Sequence, residues 1–584
     1  MTSNAAALPL PGWRNPLDKI LKRLADGLGR RASGLTRLKK IARRVPCRPT
    51  STAYAAACLE VLETRVDCPP EHLARIPPHG PLLLYANHPS GALEGLIMAA
   101  LCGDVRPDLK ILANDTLLAL PQLAPMLLPL DLTGRDKNRN ATVLRQAVLH
   151  LRRGGALGLF PAGRVARWRP GRGLTEEPWL PLLGRLSRCA GSHAPDGLRL
   201  LPLSFKVRVS PLFLATAHCN DALAGALLPR VLCGQRRSRA GMRVGLPISA
   251  SGLAGLDNAR RSQCLRLCQA ALADTGRPAR AARCRPLAPA QGPATFMAAL
   301  AALPSNRRLA DDGRYGVYLL QGHESPPLLD VLTRRREEAF RALGEGRGRE
   351  RDQDRYDAQY EHLLLVDEKR QALAGAYRTR LVRPEQARTC TQDTLYTASL
   401  FRFKAEFFRQ CGTALELGRA FVSNEYQRDY APLLLLWKGI GQLVLRYGVR
   451  TLFGPSSIGL NYRPQSVDLL WRHLRLRHWH APLADLVEGR RPRALREELP
   501  FARCLDYAAV NNLVRQMEGG RALPILFKHY LQLGGRIAAF HEDRRFGTLD
   551  ALLVVDLLNA PDKLLRRYMG DEGLQRLRDR MWYA

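Results

Sequence analysis

Two regions of alternating strand-like and helix-like apolar pattern, parted by a run with neither, limit most strongly what this chain can fold into. From Thr275 to Gln291 the sequence is rich in Pro, Ala and Arg and has no apolar periodicity, which is how a linker reads. Before it, short apolar runs predict buried strands at Pro81–Asn87, Ala156–Phe160, Leu200–Phe205 and Met242–Pro247, with a helix over Gly95–Leu101. After it, strands are expected at Gly316–Leu320, His362–Asp367, Gly375–Arg380, Ala414–Phe421 and Val554–Leu558. A helix is expected from Pro432 to Tyr447, where a proline in the first turn suits a helix start. Alternation on both sides of the break predicts two α/β domains. The expected boundaries are a basic segment 1–60, a domain 61–274, a linker 275–312 and a second domain 313–584.

Composition narrows the function classes. With 584 residues, 46% of them hydrophobic, the chain can bury sizeable cores, so wholesale disorder is excluded. No apolar run approaches the roughly 18–20 residues of a spanning helix, and the first residues lack the apolar centre of a signal peptide. Lys and Arg number 89 against 53 Asp and Glu, a net charge of +36 that calls for anionic partners. Nucleic acid would want exposed aromatics along a basic stripe. Here the aromatics sit inside apolar runs such as Phe401–Phe408, where core packing is expected. An anionic membrane surface or an acidic protein fits better. The 13 cysteines form no C-x-x-C, which reads as a reducing cytosol without disulfides or zinc. Cys264 and Cys268 are expected as small buried hydrophobes, and His473, His478 and His480 lack a second ligand cluster, so no metal is expected. Between Pro16 and Val45, Leu17, Ile20, Leu21, Leu24 and Leu28, then Leu35, Leu38 and Ile41, recur at helical spacing among lysines and arginines. Two readings stay open there: a helix lying on an anionic bilayer, or one packed on the core.

Chemistry concentrates in two constellations. In the first half, Asn87-His88-Pro89-Ser90 delivers a histidine from a strand into a small-residue loop, and Glu94 follows six positions later. A histidine so placed suits a general base for a hydroxyl, with the carboxylate fixing its tautomer. The block Gly134-Arg135-Asp136-Lys137-Asn138-Arg139, the loop Phe160-Pro161-Ala162-Gly163-Arg164 and the strand Leu201-Pro202-Leu203 come next, in that order. In the second half, Arg336, Asp352–Asp357, Gly375-Ala376-Tyr377-Arg378, Glu416-Leu417-Gly418-Arg419 and Leu452-Phe453-Gly454-Pro455 are spaced along separate blocks.

The first series resembles the glycerophospholipid acyltransferase superfamily, in particular its hemolysin-like branch acting on lyso-ornithine lipids, over roughly Leu82 to Pro247. The resemblance implies that His88 is the base, that Glu94 orients it, and that Gly163 with Arg135 and Arg139 binds the acceptor. Three departures stand out: Glu94 replaces the usual Asp, Ala162 stands where many members carry Glu, and Arg164 where the branch tends to have an acid. The second series resembles the ornithine N-acyltransferases, with a GNAT-like fold akin to acyl-homoserine-lactone synthases, from about Gly316 to Gly570. It implies that Glu416 and Arg419 line the reaction centre, that Glu416 accepts the amine proton, that Arg378 holds carboxylate or pantetheine-side groups, and that Asp354 and Asp357 bind a cationic amino acid or organise the strand start. No glycine run precedes the helix near Pro432, where a CoA pyrophosphate would need one.

The expectation is therefore an acyltransferase making an amino-acid lipid, most plainly ornithine lipid. The C-terminal domain would N-acylate the amino acid from 3-hydroxyacyl carrier protein, and the N-terminal domain would O-acylate the lyso-lipid. No cofactor or metal is expected beyond the acyl carrier protein thioester, and the chain should be cytoplasmic, associated peripherally with the inner membrane without crossing it. The alternatives are glycine or lysine as acceptor, or one domain kept as a scaffold.

Overall fold

The computed structural model describes residues 35–91, 93–114, 120–130, 137–169, 173–191, 197–209, 221–273, 284–493 and 499–582. The chain divides into two compact units, Met1–Asp274 and Thr275–Ala584, each α/β.

The strands of the first unit are β1 (Arg65–Asp67), β2 (Leu82–Ala86), β3 (Lys110–Asn114), β4 (Leu127–Leu130), β5 (Ala156–Leu159), a small antiparallel pair β6 (Arg167–Arg169) and β7 (Gly173–Thr175), β8 (Arg199–Lys206), β9 (Arg239–Val244) and β10 (Ile248–Ser249). The main sheet runs β1-β9-β8-β2-β5-β3-β4, with β10 beside β8. Its centre is parallel: β2 pairs β8 and β5 in parallel, and β3 pairs β5 and β4 the same way. β2 reads Leu-Leu-Leu-Tyr-Ala and is fully buried, as an unbroken apolar run must be when both faces of a parallel strand are covered. Because β2 and β5 are parallel neighbours, the loops leaving their C-terminal ends lie side by side, and that adjacency makes the site.

The second unit has β11 (Arg308–Asp311), β12 (Tyr315–Gln321), β13 (Glu361–Asp367), β14 (Ala372–Val382), β15 (Phe401–Phe403), β16 (Ala414–Val422), β17 (Thr451–Gly459), β18 (Val487–Gly489), β19 (Arg536–Asp543) and β20 (Thr548–Asp556). Its large sheet runs β11-β12-β13-β14-β16-β17-β20-β19 and is antiparallel except at β16–β17. That parallel pair is joined only over Ala414–Glu416 and Thr451–Phe453. Gly454 marks the last close approach, since a Cβ there would stand 1.9 Å from the Leu417 carbonyl oxygen. Beyond it the two strands part. β16 also carries a bulge: its register with β14 shifts between Ala376 and Arg378, and Arg419 takes φ +50°, a left-handed conformation that non-glycine residues adopt at a cost.

Several expectations change. Residues 275–312 are not all linker: Pro293–Ala301 is a helix whose Phe296 and Leu300 are buried in the second unit's core, followed by β11. A strand expected at Val554–Leu558 runs Thr548–Asp556, because Leu557–Asn559 closes into a turn held by the Asp556 side chain. Of the basic amphipathic stretch, 16–34 lies outside the described residues. The rest forms the helix Leu35–Arg44, with Leu38 in the first unit's core and Ile41 packed against it. That apolar side is therefore spent on protein rather than lipid. Cys264, Cys268, Phe401, Phe407 and Phe408 are core residues as expected. Among the described residues no helix is long and apolar enough to cross a membrane, and no cluster of His, Cys, Asp or Glu has metal-binding geometry.

Candidate functional site

In the first unit His88 follows β2 directly. The Asn87 side chain extends the strand by bonding both ways with Phe205 of β8, donating Nδ2–H to its carbonyl (2.9 Å) and accepting its N–H (2.7 Å). This fixes where the histidine leaves the sheet. The turn after β5 closes through the Gly163 N–H to the Phe160 carbonyl (3.0 Å), with Gly163 at φ +63°, a conformation glycine adopts freely. Phe160 stacks on the His88 ring, centroids 4.2 Å apart at 22°. The two loops the sequence singled out thus form one wall.

Glu94 is fully buried in the short helix Leu93–Ile97. It accepts the Ser90 N–H (2.5 Å) and the Ser90 hydroxyl (2.9 Å), and its Oε2 stands 3.9 Å from His88 Nδ1. That is beyond hydrogen-bond reach, so Nδ1 is a buried nitrogen without a partner. The expected His–acid pair is adjacent but not closed, and Ser90 holds the carboxylate in waiting. Burial lowers His88 to about 4 and raises Glu94. The imidazole is therefore neutral near pH 7, the form a base requires.

One group here escaped sequence reasoning. Glu176, just past β7, accepts the His88 backbone N–H (3.1 Å). Burial lifts its carboxyl to about 7, with the Glu94 charge adding to the rise. It brings a second carboxylate to His88, and nothing in its local sequence announces this. Arg139 lies exposed on the helix Lys137–Arg152, and Arg135 lies outside the described residues.

In the second unit the expected residues converge on a buried ionic cluster. Arg336 Nε donates to Asp352 (2.7 Å) and its Nη2 to both oxygens of Asp357 (2.9 and 3.0 Å). Arg378 Nη1 donates to Asp354 (2.7 Å) and Asp357 (3.0 Å), and its guanidinium lies over the rings of Tyr396 and Tyr360 at 4.6 and 5.2 Å. Arg419 reaches Asp352 and Asp354 at 3.6 and 3.5 Å and covers Phe546 at 4.3 Å. Three arginines thus face three aspartates. Asp354 and Asp357, for which the resemblance allowed two roles, are paired here with Arg336 and Arg378. Burial alone would raise Asp357, but Arg336 and Arg378 outweigh it and hold the carboxyl well below its usual range.

Glu416 is sealed behind this cluster. Its oxygens accept the Tyr360 hydroxyl (2.5 Å) and the Thr397 N–H (2.6 Å), and burial raises its pKa. A cavity of about 980 Å³ opens where β16 and β17 part, between Ala420–Val422 past the bulge and Asn461–Tyr462 past β17. Glu416 does not line it; Glu345 does. The Glu345 carboxylate is lifted to about 7, first by burial and then by Asp550. Asp550, at about 7 for the same first reason, accepts the Ser457 hydroxyl at 2.6 Å. This second pair of carboxylates joins a helix–strand loop to β20, roughly two hundred residues away along the chain, and carries no motif.

A parallel-centred sheet bearing a loop His–acid pair in the first unit, and central strands that splay over a cavity in the second, suit acyl transfer. Comparison with known proteins agrees. Residues 36–223 match the family model described as acyltransferase, and residues 335–438 that described as acetyltransferase (GNAT) domain. The chain is an acyltransferase with two such domains. It is similar to the glycine N(alpha)-acyltransferase of Phocaeicola vulgatus, 28% identical over 259 residues, covering 41% of this chain and 78% of that one. It is similar to the L-ornithine N(alpha)-acyltransferase of Rhizobium meliloti, 29% identical over 233 residues, 38% of this chain and 73% of that one. It also matches the lyso-glycine lipid O-acyltransferase of P. vulgatus, 26% identical over 171 residues, 29% of this chain and 57% of that one.

Proposed function

We propose that this chain builds a diacylated amino-acid lipid. The second unit joins a 3-hydroxyacyl group to the α-amine of a small amino acid, and the first esterifies the resulting hydroxyl. The observation that carries the reading is the cavity at the parting of β16 and β17, whose size is that of a typical ligand site. In the first step the amine attacks the thioester carbonyl; a C–N bond forms, the C–S bond breaks and the thiol leaves with a proton. In the second, the hydroxyl gives its proton to His88 as its oxygen attacks a second thioester; a C–O bond forms, the C–S bond breaks, and the leaving thiolate takes the proton from His88. Ornithine and glycine are both kept as acceptors, since relatives of both kinds match at 28–29% identity.

The donor proposed is an acyl carrier protein. The helix Ala431–Tyr447 begins with the Asp429 carboxylate accepting the Ala431 N–H at 3.1 Å, followed by Pro432, which has no N–H. An acid already fills the end that a CoA pyrophosphate would occupy. The acidic surface of a carrier protein suits a chain of charge +36.

For the amine proton, Glu416 is reachable only through Tyr360 and Thr397, whereas Glu345 faces the cavity. If Glu345 receives it, N-acyl transfer should rise with pH through an apparent pKa near 7, because the carboxylate must be ionised to act. Glu345→Gln should then remove that limb and cost about 10²-fold or more in kcat. A limb that survives in Glu345→Gln and vanishes in Glu416→Gln assigns the proton to Glu416. The whole function is tested by lipid profiling of a host devoid of amino-acid lipids: expression should yield one new diacylated aminolipid, whose mass names the amino acid. No new lipid, with ornithine and glycine both supplied, refutes it.

A further inference from the structure

The mouth of the second unit's cavity is built unlike the rest of the surface. Three large apolar side chains stand about half exposed on its lining: Leu343 at 51%, Tyr430 at 50% and Ile525 at 55%. Each sits at a helix end: Leu343 ends Pro326–Ala342, Tyr430 precedes Ala431–Tyr447, and Ile525 opens Ile525–Gln532. The other exposed large apolar residues of the described second unit, Leu476 at 44% and Leu558 at 37%, are less open to solvent, and neither lines the cavity. Isolated exposed apolar side chains are ordinary, but three on one rim mark a contact surface.

The rim is also cationic. Arg428, Arg521 and Lys528 line it and are exposed, and Arg567 lies over the Tyr430 ring at 4.8 Å. The one exposed acid of the lining, Asp429, is turned inward, bonded to the Ala431 N–H and the Tyr315 hydroxyl. Apolar tips ringed by Lys and Arg are the make-up of a surface that seats at the boundary of an anionic bilayer, tips in the acyl region and cations at the phosphates.

We propose that this rim is the membrane-docking face of the N-acyltransferase unit, and that the cavity opens directly into an anionic lipid surface. This rests on reading the cavity as the acyl-chain site. The product then carries a hydrocarbon tail, which a rim seated on lipid lets pass from protein to bilayer without crossing water. An acidic carrier protein would be drawn by the same cations, but three protruding apolar tips favour lipid.

The test is hydrogen–deuterium exchange of the full-length chain, read in peptides covering 341–346, 427–433 and 522–529, with vesicles of phosphatidylcholine alone, vesicles containing phosphatidylglycerol, or acyl carrier protein. The expected result is slowed exchange in all three peptides with anionic vesicles only. The triple substitution Leu343→Ser, Tyr430→Ser, Ile525→Ser should abolish it, with an unchanged melting curve showing that the fold persists. Arg428→Gln with Lys528→Gln should weaken partitioning at the rim by about 30-fold, each cation near such a surface contributing about fivefold. Unchanged exchange at the rim, whether or not the chain sediments with vesicles through other segments, overturns the proposal. So does protection by carrier protein without protection by vesicles, which would make the rim a protein dock. N-acyl transfer by the wild type is measured alongside, with and without vesicles: its absence under both conditions counts against the proposed function, and the exchange result then stands or falls separately.

Discussion

Replacing His88 with Ala should lower O-acyl transfer by about 10²–10⁴-fold, the usual reach of a positioned general base, and leave N-acyl transfer intact. A cell expressing the variant should accumulate the monoacylated lipid, which mass spectrometry reads directly. The physical basis is the wall formed by Phe160 stacked on His88 and the unpartnered Nδ1 facing Glu94 at 3.9 Å. Burial holds the imidazole at about 4, so it is neutral and competent throughout the ordinary range. The acid limb of O-acyl transfer should fall well below the value of about 6.5 of an open histidine. If Glu94 closes onto Nδ1 when the acceptor binds, Glu94→Gln should cost about tenfold or more by weakening support for the imidazolium. Equal diacyl product from wild type and His88→Ala would remove His88 from the chemistry.

Asp357→Ala should unfold the second unit at much lower temperature, with a loss of about 3–5 kcal/mol, because Arg336 and Arg378 would be left buried with too few counter-charges. Calorimetry of the purified chain, or its soluble yield, would register this. A parallel pH effect follows. The Asp357 carboxyl is held below its unfolded value of about 4, so its contribution is complete above that value and is lost as pH falls toward the folded one. The second unit should therefore weaken on acidification from pH 5 downward, and a Tm independent of pH there would show that Asp357 carries little of the cluster's stability.

What the sequence by itself determined is the set of elements and the adjacency of His88 to the Phe160–Gly163 loop. The runs at Leu82–Ala86 and Ala156–Leu159 are strands because an unbroken apolar stretch of that length buries both faces. His88 and the Phe160–Gly163 loop were legible because each follows such a run directly, and parallel neighbours bring their ends together. Tertiary structure decided which charges are spent and which are free. Asp354 and Asp357 look like open anionic ligands along the chain, yet arginines from a helix and from β14 neutralise them. Glu416 looks like an accessible base, yet Tyr360 and Thr397 close over it. Glu176, Glu345 and Asp550 belong to no motif, and burial, with neighbouring carboxylates adding to it, shifts them to about 7. The reason is common to all of them: a carboxylate's charge state depends on its distance to cations and its loss of water, and both are set by residues tens to hundreds of positions away.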